Sequence, residues 1–125
     1  YRMMAVDGAL YPLHAAISND WKVHYFRADM ASDAVKRAED ERFLRDPEAA
    51  LGTPALAAVE RIRDEVRLDY MGIDFALDGR GRVVVFEANA TMIVLPPGPE
   101  GMWDYRRAPV ERVVGAVRTM MLRMQ

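Results

Sequence analysis

The chain has 125 residues, of which 51% are hydrophobic and 29% charged, with a formal net charge of −2. This length suits a single domain, the charge balance gives no electrostatic footprint for nucleic acid, and no apolar run approaches the roughly 18 residues of a membrane span. The absence of cysteine excludes disulfides and thiol catalysis and fits a reducing compartment, so we expect a cytoplasmic protein.

The first predicted element is a β-hairpin. Val6-Asp7-Gly8-Ala9 places Asp-Gly at the central positions of a type I′ turn, between strands over residues 1–6 and 9–18. Pro12 predicts that the second strand lies at a sheet edge or carries a bulge. Alternating bulky and polar residues predict a third strand over 21–26. Because the chain opens directly on a strand, we expect it to be a piece of a longer protein.

Two helices are predicted next. The first covers residues 31–45, with Ser32 as its N-cap and Ala34, Val35 and Ala38 on its buried face. Thr53-Pro54 then opens an amphipathic helix, with Thr53 as the cap and proline at the first helical position. Its apolar stripe contains Leu56, Val59, Ile62 and Val66.

A second hairpin is predicted around Asp78-Gly79-Arg80-Gly81, between runs rich in β-forming residues. A two-residue turn or a four-residue loop gives the same register, with Asp74 opposite Val85 and Gly72 opposite Glu87. Asp74, Glu87 and Asn89 then share one face of the sheet, together with Val83 and Val85. The other face is predicted to be the core face, with Ile73, Phe75, Leu77, Val84 and Phe86.

Two carboxylates and an amide beside valines are costly unless something offsets their charge. A hard divalent cation does so, because Mg²⁺ takes carboxylate oxygens and adds substrate phosphates. We therefore predict a metal site at Asp74, Glu87 and Asn89. In the alternative reading, Glu87 and Asn89 bond to backbone or water; Asn89-Ala90-Thr91 also fits a glycosylation acceptor, which matters only in a secreted protein.

Residues 92–108 are rich in proline and glycine and predict a loop. A final helix is predicted from about Pro109 to Arg123, with an apolar stripe at helical spacing. The stripe contains Val110, Val113, Val114, Val117, Met120, Met121 and Met124.

The Gly-x-Asp strand followed by Glu-x-Asn at the end of the next strand resembles the end of the ATP-grasp catalytic domain, nearest to its glutamate-ligase-like branch. The order of hairpin, helical segment, motif strands and closing helix extends the resemblance over most of the chain. It implies an α+β fold, an antiparallel β-sheet packed with helices, in which residues 1–125 form one domain that is the C-terminal part of a larger ATP-grasp domain.

The resemblance also implies an activity. ATP-grasp ligases join a carboxylate to an amine or thiol through an acyl phosphate made from ATP. The expected cofactors are ATP and Mg²⁺, with Mn²⁺ as an alternative ion. The expected partners are a small-molecule or peptide carboxylate and an amine acceptor, with a homo-oligomer formed through the full-length protein.

Residue by residue, Asp74 matches the first metal ligand of that family, Glu87 the ligand that often bridges two ions, and Asn89 the third. Arg2 and Lys22 are the catalytic candidates that would neutralise phosphate. In the alternative interpretation, each is a solvated charge on an exposed strand face. Arg2, Val85 and Glu87 are expected at the nucleotide, where the small residues Gly72 and Ala76 leave room. Val83 and Val85 are expected to form an apolar floor. His14 and His24 are expected to be structural.

Two further functions stay open. One is another divalent-metal phosphotransferase or hydrolase that uses the same oxygens. The other is a degenerate ATP-grasp-like domain that binds nucleotide or a partner without catalysis. The chain also departs from the family pattern after Asn89, because Pro97-Gly98 comes late.

Overall fold

A computed structural model describes residues 1–17 and 30–125. Its strands form one antiparallel sheet in the order β2-β1-β3-β4, packed with helices, so the expected α+β class is confirmed. The predicted strand over 21–26, with Lys22 and His24, lies outside the described residues. The elements are β1 (Arg2–Val6), β2 (Ala9–His14), α1 (Ala34–Arg45), α2 (Pro47–Leu51), α3 (Thr53–Val66), β3 (Tyr70–Leu77), β4 (Val83–Asn89), a 3₁₀ segment (Gly101–Arg106) and α4 (Arg107–Arg123).

The first hairpin forms as predicted. Val6 pairs with Ala9, and both Asp7 (φ 52°) and Gly8 (φ 78°) adopt the left-handed backbone that a type I′ turn requires. Strand β2 is an edge strand and its register with β1 shifts between Arg2 and Met3, beside Pro12. The edge and the irregularity are therefore both present. The strand ends at His14, four residues earlier than predicted.

Helices pack on both faces of the sheet, and neighbouring residues of β1 enter different cores. Met3 of β1 belongs to a first core that the sheet forms with α1, α2 and α3. Met4, its neighbour, belongs to a second core with α4 and the segment after β4. We call the two sides of the sheet the first face and the second face. The first core contains Met3, Ala5, Ala15, Phe43, Leu44, Leu51, Ala55, Val59, Met71, Ile73 and Phe75.

The predicted start and buried face of α1 are wrong. Asp33 caps the helix, because its side chain accepts hydrogen bonds from the backbone N–H of Val35 (2.9 Å) and Lys36 (3.2 Å), so Ser32 is not the cap. Val35 is exposed, and the helix buries Asp40, Phe43 and Leu44. Helix α3 begins at Thr53 with Gly52 as its cap, one residue from the prediction.

Helix α4 begins at Arg107, after a 3₁₀ segment within the predicted loop. It packs Val113 fully into the second core, but Val114, Met121 and Met124 are exposed, so three of the seven residues of the predicted stripe are wrong. None of the helices in the described residues has the length and apolar content that a membrane crossing requires.

Candidate metal centre

The hairpin that joins β3 and β4 has a different register from the predicted one. The N–H of Gly81 donates to the Asp78 carbonyl, the N–H of Asp78 donates to the Arg82 carbonyl, each at 2.9 Å, and Gly81 is left-handed (φ 74°). This is the geometry of an odd-length loop, so Leu77 pairs with Val83. The predicted pairs Asp74–Val85 and Gly72–Glu87 are both wrong.

On its own, the odd-length loop would place Asp74 and Glu87 on opposite faces of the sheet. A second irregularity restores the shared face. The register shifts again between Asp74 and Phe75, because Phe86 is an extra residue in β4. Asp74 therefore pairs with Glu87, and Gly72 pairs with Asn89. Directly paired residues project from the same face, so Asp74, Glu87 and Asn89 do lie together, on the second face.

Arg2 and His14 extend this group into a row across all strands of the sheet. His14 of β2 pairs with Arg2 of β1, Arg2 pairs with Asp74 of β3, and Asp74 pairs with Glu87 of β4. We call these residues the polar row. It lies beyond the apolar second core and is accessible to solvent, since the side chains of Arg2 and Asp74 are 24% and 22% exposed and Glu87 is more exposed than either.

Arg2 and Asp74 form an ion pair within the polar row. Arg2 donates from Nε to Oδ1 and from Nη2 to Oδ2 of Asp74, both at 2.6 Å. This hydrogen-bonded carboxylate raises the pKa of Arg2, and Glu87 acts in the same direction. Because the row holds one guanidinium and two carboxylates, negative charge is in excess.

The ends of the row beyond Asp74 make hydrogen bonds of their own. Asn89 donates from its side-chain nitrogen to Oε1 of Glu87. The Asn89 carbonyl oxygen accepts from the backbone N–H of Thr91 (2.8 Å) and from its hydroxyl (3.0 Å). The alternative reading, in which Asn89 bonds to backbone, thus describes part of its bonding.

The donor set fits a magnesium ion that also contacts phosphate. Asp74 and Glu87 place two carboxylates on the same face of adjacent strands, which suits Mg²⁺, and the remaining ligands of such an ion are phosphates and water. Asn89 is the weakest fit, since both lone pairs of its amide oxygen are used by Thr91. Across the described residues, no three histidine, cysteine, aspartate or glutamate side chains come together as a metal-binding group.

The corrected register moves the predicted apolar floor. Val85 pairs with Phe75, which is fully buried in the first core, so Val85 lies on the first face, away from Asp74. Val83 also packs against the first core. Val84, paired with Ala76, is the valine on the side of the polar row. Val85 is therefore not positioned to contact a nucleotide held there.

The space beside Gly72 is filled by Met92. A Cβ atom added to Gly72 would lie 2.7 Å from Met92 Cβ and closer still to Met92 Cγ. Met92 is buried, and its carbonyl accepts a hydrogen bond from the Tyr70 hydroxyl at 2.5 Å. Gly72 thus admits the segment that follows Asn89 onto the sheet, so the room predicted there for a nucleotide is occupied.

This close contact makes Gly72 a sensitive position. We expect Gly72→Ala to reduce the free energy of unfolding by about 1–3 kcal/mol, because the added methyl group displaces Met92. Urea unfolding measures the change, and Gly79→Ala is the matched control, since a Cβ there meets nothing within 4 Å. In the Gly72→Ala/Met92→Ala double variant, we expect a coupling of about 1 kcal/mol or more; strictly additive effects would contradict the contact.

His14 carries a pH-dependent contribution to stability. Desolvation lowers its pKa from 6.5 to about 3, and the nearby guanidiniums of Arg2 and Arg106 act in the same direction. The unfolded chain therefore binds an extra proton below pH 6.5, and stability falls as the pH drops. We expect this group to lower the free energy of unfolding by about 1 kcal/mol per pH unit at pH 6, approaching about 1.4 kcal/mol per pH unit near pH 5. The free energy of unfolding, measured at pH 7, 6 and 5, should depend less on pH in His14→Gln than in the parent. Equal pH dependence in the two proteins would contradict the lowered pKa of His14.

An apolar groove of about 320 Å³ lies elsewhere on the second face, between β3, α4 and the segment after Asn89. Tyr70 lines it, four residues along β3 from Asp74, or roughly 13 Å at strand spacing. The groove is thus separate from the polar row. It is lined by Tyr70, Met92, Ile93, Val94, Val113, Val114 and Val117.

The sequence predicts neither the pairing of His14 with Arg2 nor that of Arg2 with Asp74. Continuing the register set by the Asp7-Gly8 turn places Leu13, not His14, opposite Arg2. The irregularity beside Pro12 shifts the pairing by one residue. Pro12 was the available signal, because proline in a strand marks a bulge or an edge.

Comparisons with known proteins add no family assignment. A scan against protein-family models, a search of curated proteins and a search of solved structures each found no match for this chain.

Proposed function

We propose that this chain supplies the metal-binding half of an ATP- and Mg²⁺-dependent ligase, which joins a carboxylate to an amine or thiol through an acyl phosphate. The observation that carries the proposal is the polar row. Arg2, Asp74 and Glu87 lie side by side on adjacent strands, and Asn89 follows on the same face. A cationic donor beside two carboxylates suits a bound cation together with a phosphate.

The motif resemblance supplies the reaction class. The Gly-x-Asp strand and the Glu-x-Asn strand end are β3 and β4, adjacent and antiparallel, and α4 closes the chain after them. This order supports an ATP-grasp fold, which is part of the proposal. The substrates would be a small-molecule or peptide carboxylate and an amine or thiol acceptor.

The roles of the residues follow from their chemistry. Asp74 and Glu87 would hold Mg²⁺ or Mn²⁺, and Asn89 would join them when the Thr91 hydroxyl turns away. Bound magnesium would neutralise the charge of the nucleotide phosphates and align them for in-line transfer. Arg2 would bind the phosphoryl oxygens through its planar guanidinium. Lys22, outside the described residues, is proposed for the same task.

The limited donor set favours a nucleotide-dependent cation. Two carboxylates and an amide leave most magnesium ligands to be supplied by others, so phosphate oxygens complete the site. We therefore expect ATP binding by the full-length protein to require Mg²⁺.

Calorimetric titration of ATP into the full-length protein, with and without Mg²⁺, tests the proposal. Magnesium-dependent binding, with ADP release that needs both a carboxylate and an acceptor, is the expected result. ADP release without an acceptor would instead support another phosphotransferase or hydrolase. Binding that ignores magnesium, or no binding, would favour a non-catalytic nucleotide- or partner-binding domain.

A further inference from the structure

The ion pair between Arg2 and Asp74 has a geometry that bears on how the site is filled. Each carboxylate oxygen of Asp74 accepts one hydrogen bond from Arg2, from Nε and Nη2, at 2.6 Å. Such fork-like pairs between arginine and a carboxylate are among the stronger hydrogen-bonded contacts in proteins. Both side chains are only about one quarter exposed, so solvent screens the pair incompletely.

We propose that Arg2 competes with the divalent cation for Asp74, so that Arg2 holds this carboxylate in the metal-free protein and is displaced when the cation binds. This inference rests on the proposed function, because it concerns the same site. A cation that contacts either oxygen of Asp74 meets a guanidinium already bonded there. At least one of the two hydrogen bonds must then break, and like charges favour separation.

The competition gives Arg2 a second partner once it is displaced. A guanidinium fits phosphate oxygens as well as it fits a carboxylate. Phosphate would therefore stabilise the displaced Arg2, and the cation would stabilise it as well by occupying Asp74. Each ligand then raises the affinity for the other, since such coupling is reciprocal. The site would bind the cation weakly alone and tightly together with phosphate.

An arginine–aspartate pair on the β3–β4 hairpin, which also carries Asp74, provides a matched control. Arg82 donates from Nε to Oδ2 of Asp78 at 2.8 Å, in the turn that joins β3 to β4. Asp78 is four residues from Asp74 along the chain, or roughly 13 Å at strand spacing. Arg82→Met removes one positive charge, as Arg2→Met does, and leaves the polar row unchanged.

The test measures Mn²⁺ binding without nucleotide, from the electron paramagnetic resonance signal of free Mn²⁺. We expect Arg2→Met to bind Mn²⁺ about ten- to a hundredfold more tightly than the parent, because a competing positive charge is removed. Arg2→Lys, which keeps the charge and loses the fork, should fall between them. Arg82→Met should match the parent. Equal or weaker binding by Arg2→Met would overturn the competition while leaving the metal site standing.

A measurement on the unmutated protein covers the case in which Arg2→Met does not fold. The Nε–Hε signal of Arg2 in nitrogen-15 spectra should shift during a Mg²⁺ titration, whereas that of Arg82 should stay. A saturating titration that leaves the Arg2 signal in place would overturn the inference. If neither Mn²⁺ nor Mg²⁺ binds any of these proteins, with or without ATP, the proposed function fails and the competition fails with it.

Discussion

Replacing Glu87 with glutamine is expected to abolish Mg·ATP turnover by the full-length protein, a loss of at least about a hundredfold. Glu87 faces Asp74 directly and is exposed at the open end of the polar row. Glutamine keeps the shape and the acceptor oxygen but removes the negative charge that a hard cation requires. Because the position is exposed, the free energy of unfolding should change by less than about 0.5 kcal/mol.

A coupled nucleotide-release assay and urea unfolding measure the two effects of Glu87→Gln. Glu65→Gln is the control, since Glu65 is exposed on α3 and the substitution removes the same charge. Comparable turnover by the Glu87→Gln variant, the control and the parent would remove Glu87 from the site.

The largest loss of stability is expected for Asp40→Asn. Asp40 is fully buried in α1, and Arg106, its ion-pair partner, is only 4% exposed. Its Oδ1 accepts from the backbone N–H of Ala15 at 2.6 Å, and its Oδ2 accepts from the Tyr105 hydroxyl (2.6 Å) and from Nε of Arg106 (2.7 Å). One carboxylate thus connects α1, the end of β2 and the segment that leads into α4.

Asparagine at position 40 cannot replace these contacts, because its side-chain nitrogen donates where the carboxylate accepted, and the charge opposite Arg106 is lost. We expect the free energy of unfolding to fall by about 3–5 kcal/mol, the usual range when one partner of a buried pair is removed. Urea unfolding of Asp40→Asn and of the parent measures this loss. The control is Asp64→Asn, whose pair with Arg63 is exposed to solvent and should contribute little to stability. Losses of similar size in both variants would contradict the structural role of Asp40.

The sequence did not indicate the hydrogen bond between Tyr105 and Asp40. Desolvation raises the pKa of Tyr105, and its hydrogen bond to Asp40 raises it further. Glu39, Asp40 and Glu41 are consecutive acidic residues, and Asp40 is the one that lies three and four residues before the buried Phe43 and Leu44, so helical spacing places it on the buried face. Its ion-pair partner Arg106 lies far along the chain, and sequence periodicity does not identify that partner.

The hairpin of β3 and β4 illustrates a shared face that was predicted for the wrong reason. Asp78 and Gly81 predicted the turn, since both residue types favour tight turns. The same residues also suit an odd-length loop, which shifts the register by one. A bulge at Phe86 shifts it once more and returns Asp74 and Glu87 to one face. No local signal marks that bulge, so Val85 was assigned to the wrong face.

The start of α3 was predicted more closely than the buried face of α4. Helix α3 begins within one residue of its predicted start, because Thr53-Pro54 is a strong initiating pair. The face of α4 was predicted too broadly, since Val114 and Met121 continue the apolar spacing but remain exposed. The width of an apolar stripe depends on how much of the helix its neighbours cover, which spacing alone does not encode.

Anomalous diffraction can show whether side chains of adjacent strands hold a divalent cation beside phosphate. Crystals of the full-length protein with Mn²⁺ and a non-hydrolysable ATP analogue would locate the ion. We predict a manganese peak in contact with the carboxylates of Asp74 and Glu87 and with phosphate oxygens. A nucleotide bound with its manganese away from both carboxylates would exclude the proposed metal site.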